Sequence, residues 1–159
     1  TMDATIIGRE YDVSIAWNHT DTEVTDMGVN VGDWRASRLE DGLPDDRMTL
    51  TFARDFAGGD SFVRVNYYGE YYAVHADWFG QTDDAAVTVD AEVSYALSDV
   101  FNVSLGVQNL FDQTPLEITG SQAAIDEGCN PSCLGAVYYE TSPYGIDGAF
   151  WYVRMGYDF

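Results

Sequence analysis

The chain has 159 residues, 46% of them hydrophobic and 14% aromatic, with 27 acidic residues against seven basic ones and a formal charge of −20. So apolar and aromatic a composition excludes a disordered tail. The acidic balance excludes nucleic acid as a partner, because phosphate contacts need Lys and Arg. No apolar run approaches the roughly 18 residues of a transmembrane helix, but membrane strands hide their apolar half by alternation and escape that test.

Period-two alternation recurs along the chain and predicts six strands. The first falls within 5–24, where Tyr11, Val13, Ile15 and Trp17 share a face. The second covers 47–56, with Met48, Leu50 and Phe52 opposite Thr49, Thr51 and Asp55. The third runs over 61–75; Val63, Val65, Tyr67, Tyr71 and Ala73 face one way, and Arg64, Asn66, Tyr68, Glu70 and Tyr72 the other. The fourth, 87–97, sets Val87, Val89, Ala91, Val93, Tyr95 and Leu97 against Thr88, Asp90, Glu92 and Ser94. The fifth begins at Asn102, with Val103, Leu105 and Val107 on one side. The sixth is terminal: Trp151, Val153, Met155, Tyr157 and Phe159 oppose Tyr152, Arg154, Gly156 and Asp158. An unbroken apolar side ending in an aromatic residue reads as a strand with lipid on one side and a polar lumen on the other. Trp151 and Phe159 are expected at the two interfaces, where aromatic rings are favoured.

The connections alternate in length. Residues 57–60 and 98–101 are short turns, whereas 25–46, 76–86 and 114–148 are long. That is the asymmetry of outer-membrane barrels, whose short turns are periplasmic. Pro44, Pro115, Pro131 and Pro143 all fall in the long loops, where no ladder donor is needed. The segments 21–46, 76–86 and 112–147 hold 17 acidic residues and two Arg, a net −15. This is the charge of a solvated surface, or of a funnel for a cationic or metal-bearing ligand.

Few residues point to chemistry. Cys129 and Cys133 fit a small loop disulfide in an oxidising compartment; free thiols and a metal site are the alternatives, and two thiols are too few ligands for zinc. His19 with Asp21, and His75 with Asp77, are spaced as pairs that could ligate a metal, though polar strand ends are far commoner. Asp90, Glu92, Glu70 and Arg64 share a predicted side, where paired carboxylates could do acid–base work and where lumen polarity is the plainer reading. No Gly-x-Ser-x-Gly motif occurs. No catalytic constellation, metal or cofactor is expected.

The segment Asn102–Asp112 ends in Asn109-Leu110-Phe111-Asp112, with Pro115 soon after. It resembles the late-barrel signature of TonB-dependent outer-membrane receptors. Residues 142–154 are similar to that family's final loop-to-strand passage, except that Gly148-Ala149 stands where the family often has Gly-Arg. Leu43-Pro44 before a strand and Tyr67-Tyr68-Gly69-Glu70-Tyr71 also fit. Physically, Asp112 and Pro115 can turn the chain out of a strand, and Leu110 and Phe111 can pack at the rim.

The resemblance implies an all-β fold: an antiparallel transmembrane β-barrel segment, with residues 1–159 supplying about six strands of a plugged barrel of about 22. The six strands are expected to form one open, curved sheet in sequence order, with its first and last strands as edges. The plug and the TonB-contact segment are not in these residues, and no signal peptide opens them; the natural N-terminus is expected upstream. The implied function is TonB-coupled, energy-dependent uptake of a scarce nutrient of siderophore, cobalamin or glycan class. The resemblance further implies a receptor and transporter of the bacterial outer membrane rather than an enzyme. Its partners would be outer-membrane lipid, the TonB complex, a small nutrient ligand, and the barrel assembly machinery, which reads a terminal strand ending as Phe159 does. The alternatives are a small outer-membrane barrel acting as passive pore or membrane enzyme, and a ligand-binding soluble β-sandwich.

Overall fold

The computed structural model describes residues 1–6, 8–26, 28, 33–74, 80–119 and 136–159. In chain order the elements are β1 (Met2–Ile6), β2 (Arg9–His19), α1 (Asp33–Glu40), β3 (Asp46–Phe56), β4 (Gly59–Tyr68), β5 (Tyr71–Ala73), β6 (Gln81–Asp83), β7 (Ala86–Ser98), β8 (Phe101–Gln108) and β9 (Phe150–Tyr157). Seven strands make one antiparallel sheet in the order β1-β2-β3-β4-β7-β8-β9, and β5 pairs with β6 apart from it. The sheet is open: among the described residues no ladder joins β1 or β2 to β9, and β1 and β9 are its edges.

The all-β, antiparallel, sequence-ordered sheet matches the alternation. Three details differ. The sheet has a seventh strand, β1, whose five residues are too few for a period of two to stand out. The strand expected over 61–75 divides at Gly69, whose N–H donates to the Asp46 carbonyl (2.9 Å). The chain then leaves the sheet, so Tyr71 and Ala73 do not extend the row of Val63, Val65 and Tyr67, and Glu70 does not join Arg64. Finally, α1 occupies part of the long connection 25–46, where alternation gave no sign of a helix.

Register fixes the two sides. One row runs Val13, Phe52, Val63, Ala91, Val107, Trp151; others run Trp17, Met48, Tyr67, Val87 and Tyr95, Val103, Met155. Arg54 and Ser61 interrupt this side near its short-turn end, where the Arg54 guanidinium lies 5.8 Å from the centre of the Tyr11 ring. The opposite side is mainly polar, with rows such as Thr49, Asn66, Thr88 and Ser94, Ser104, Arg154.

Burial is inverted relative to a water-soluble sheet. Val153 is 60% exposed and Leu105 49%, while Thr88 and Ser104 retain 3% and 7%. Covering the half of each such apolar side chain that is still exposed would be worth roughly 1–2 kcal/mol, so the apolar side as a whole calls for a nonaqueous neighbour. The buried apolar cluster lies elsewhere, in the loops: Tyr71, Ala73, Ile118 and Tyr139, with Tyr144 against them. The turns at Gly8, 57–58 and 99–100 share one end of the sheet; at the other end the chain leaves β2, β4 and β8 and re-enters the sheet at β3, β7 and β9.

Candidate functional site

The loop end is organised where β8 stops. Asn109 and Asp112 both take a left-handed backbone (φ 52° and 58°), which short polar side chains tolerate best after glycine. The Asn109 amide closes the turn twice: Nδ2 donates to the Gln113 carbonyl (2.7 Å), and Oδ1 accepts the Gln113 N–H (2.9 Å). Asp90 Oδ1 accepts the Asn109 N–H (3.0 Å), and the Leu110 N–H reaches the Val89 carbonyl (2.7 Å).

Asp112 Oδ1 accepts the Ala149 N–H at 2.8 Å. It thus clasps the start of β9 to the exit of β8, closing the long loop at its base. Gly148 (φ +69°) fits this clasp because a Cβ there would stand 2.1 Å from Asp112 Oδ1. Only the backbone of Ala149 takes part, so its side chain is free to differ. Pro115 is buried, Leu110 is half-buried, and Phe111 is exposed at the loop end.

Above the sheet, buried Asp83 gathers three donors: the Tyr71 hydroxyl (2.7 Å), Gln81 Nε2 (3.0 Å) and the Leu116 N–H (3.3 Å). Gln81 Oε1 accepts the Thr119 N–H (3.1 Å). The β5–β6 hairpin and the segment after β8 are therefore one packed unit. Burial, then the bond to the Asp83 carboxylate, pushes Tyr71 ionisation well above the ordinary range, and burial raises Tyr139 as well. The raised value favours the neutral phenol in the folded state. Its contribution to stability is complete below about pH 10, the unfolded value, and is lost as pH rises beyond it. A phenolate absorbance titration should show Tyr71 among the last tyrosines to ionise, with opening of the loop cluster. Tyr71→Phe should delete that late component; an unchanged titration would contradict the assignment.

Between residues 143–148, where Tyr144 packs against the loop cluster, and the polar side of the sheet lies a cleft of about 560 Å³, lined by Tyr68, Asp90, Gln108, Tyr144, Asp147 and Phe150 among others. The Tyr68 and Tyr144 rings are 5.4 Å apart and tilted by 43°. The cleft floor is braced: Asn66 Nδ2 donates to Thr88 Oγ1 (3.2 Å) and Asp90 Oδ2 (3.0 Å), and Asn66 Oδ1 accepts from Thr49 Oγ1 (3.2 Å). Farther down, Glu92 accepts from the Tyr152 hydroxyl and from Arg154 Nη2, the latter at 3.2 Å. Tyr152 crosses β8 at Gly106, where a Cβ would lie 2.3 Å from its ring. Asp90 and Glu92 do share the polar side with Arg64, but both are engaged in cross-strand bracing, not poised as an acid–base pair.

The other expected site residues fall apart from the cleft. His19 Nδ1 lies 3.0 Å from Asp46 Oδ1, which also accepts Trp17 Nε1 (2.9 Å), so its partner is Asp46 and not Asp21. His75, Asp77, Cys129 and Cys133 lie outside the described residues. Among the described residues no group of three His, Cys, Asp or Glu side chains is placed to hold a metal ion. Trp151, Val153, Met155 and Tyr157 are all exposed on one side of β9, and the Phe159 ring meets Tyr157 edge-on at 5.6 Å. Alternation did not single out Tyr68, Gln108, Tyr144 or Asp147 as a group. Their common signal is position: each sits at or beyond the loop end of a strand. Comparison with known protein families, with curated proteins and with solved structures finds no match for this chain.

Proposed function

We propose that the chain forms part of the wall of a TonB-dependent receptor barrel in the bacterial outer membrane, and takes part in energy-dependent uptake of a scarce nutrient. The observation that carries this reading is the inverted sheet: exposed Val, Leu, Trp and Met on one side, hydrogen-bonded Asn, Thr, Asp and Glu on the other. Lipid suits the first side and a wet, plugged lumen suits the second. Short turns at one end and long acidic loops at the other support the same orientation, with the cleft facing outward. In this reading β1 and β9 pair with further strands of the barrel, the TonB complex engages a region outside these residues, and the assembly machinery reads Phe159. No catalysis is assigned.

The test is location with energised uptake. The natural protein containing this chain should fractionate with the outer membrane, and uptake of its ligand should stop when the proton gradient is collapsed. Recovery in a soluble fraction, or uptake indifferent to the gradient, would overturn the reading.

A further inference from the structure

We infer that the cleft between the loop cluster and the polar side of the sheet binds a neutral, hydroxyl-rich ligand of oligosaccharide class and turns anionic ligands away. This rests on the receptor reading above and narrows it to one substrate class. The first ground is the sign of charge. Among the described residues no Arg or His lines the cleft, and the chain has no Lys. The two nearest Arg in register are directed elsewhere. Arg47, beside Tyr68, lines a separate hollow with Glu40 and Asp45. Arg64, beside Asp90, lies over the Phe62 ring at 5.1 Å. Asp90 and Asp147 line the cleft itself, and in sequence the three long connections carry 17 acidic residues against two Arg. A carboxylate, phosphate or catecholate ligand would meet like charge with no compensating cation.

The second ground is which groups remain open. Asn66 and Asn109 spend their amides on the protein's own turns and strands. Gln108 and Asp147 line the cleft exposed, without a side-chain partner among the described residues. Gln108 offers both a donor and an acceptor, and Asp147 accepts from hydroxyl groups. Tyr68, Tyr144 and Phe150 supply apolar ring surface beside them. Flat rings next to a free amide and a carboxylate match the alternating C–H faces and hydroxyl edges of a sugar. The cleft volume falls within the roughly 300–1,000 Å³ of ordinary ligand sites.

The test titrates probes into purified natural protein held in detergent, without a gradient, so that binding is separated from transport. The probes are neutral maltose-, xylose- and N-acetylglucosamine-based oligosaccharides, a ferric catecholate chelate, polygalacturonate fragments and spermidine. One neutral series should bind, and Tyr144→Ala and Gln108→Ala should each weaken it about tenfold or more. Gln108 is exposed, so its variant keeps the test valid if Tyr144→Ala disturbs the loop cluster. Asp147→Arg should admit polygalacturonate. Binding of the anionic probes to the unchanged protein, binding of spermidine alone, no binding by any neutral series, or neutral binding untouched by both Ala variants would overturn the inference. Neutral binding without gradient-driven uptake would overturn the transport reading and leave the cleft assignment standing.

Discussion

Arginine at Val153 is expected to destabilise the membrane-inserted protein by about 2–4 kcal/mol, while arginine at Tyr152 should cost clearly less. The two positions are neighbours on one edge strand, so backbone effects are matched. Val153 shares a row with Leu105 and Val93 on the apolar side, and in the proposed membrane placement an arginine there must find a way past lipid to water. Tyr152 lies on the side of Glu92 and Arg154, where an added guanidinium meets carboxylate and solvent. Denaturant titration of both variants in lipid vesicles measures the difference. Equal or reversed costs would mean that the apolar side does not face lipid.

Gly148→Ala should be the second most damaging change, at about 2–3 kcal/mol, from a strained left-handed backbone and a Cβ driven against Asp112. Asp112→Ala removes the same clasp and leaves an alanine at a left-handed φ of 58°, so it should cost about 1–3 kcal/mol, the lost hydrogen bond plus a smaller backbone term. Because both act on one contact, the double variant should fall short of the sum of the two. Equilibrium unfolding gives the energies, and faster proteolysis of the loop between Asp112 and Gly148 gives an independent reading. Full additivity would show that Gly148 serves some other contact.

Alternation made the sheet legible because each strand repeats its environment every two residues, and the six longer strands sharing two sides repeat it many times. Leu105, Val153 and Met155 could be placed by period alone. Tyr71 could not: it continues the phase of Val63, Val65 and Tyr67, yet Gly69 ends the ladder and the side chain enters the loop cluster. Period carries no information about where a ladder breaks when the residues beyond the break keep the rhythm. The Asn109–Asp112 turn was visible through residue type, since Asn and Asp tolerate a positive φ. The grip of Asp112 on Ala149 was not, because it joins positions separated by 37 residues. The cleft was hidden for the same reason: Tyr68, Gln108 and Tyr144 come from three separate chain segments that meet only after the long loops fold back.

Strand direction has a consequence for closure. All six ladders of the main sheet are antiparallel, so alternate strands point alike, and β1 and β9 both run toward the short-turn end. Joined directly, they would form a parallel seam. An all-antiparallel cylinder therefore requires an odd number of additional strands between them, which is the count that brings the total to the even numbers usual in single-chain bacterial barrels. Parity alone thus rules out such a cylinder made from these seven strands, whatever its circumference.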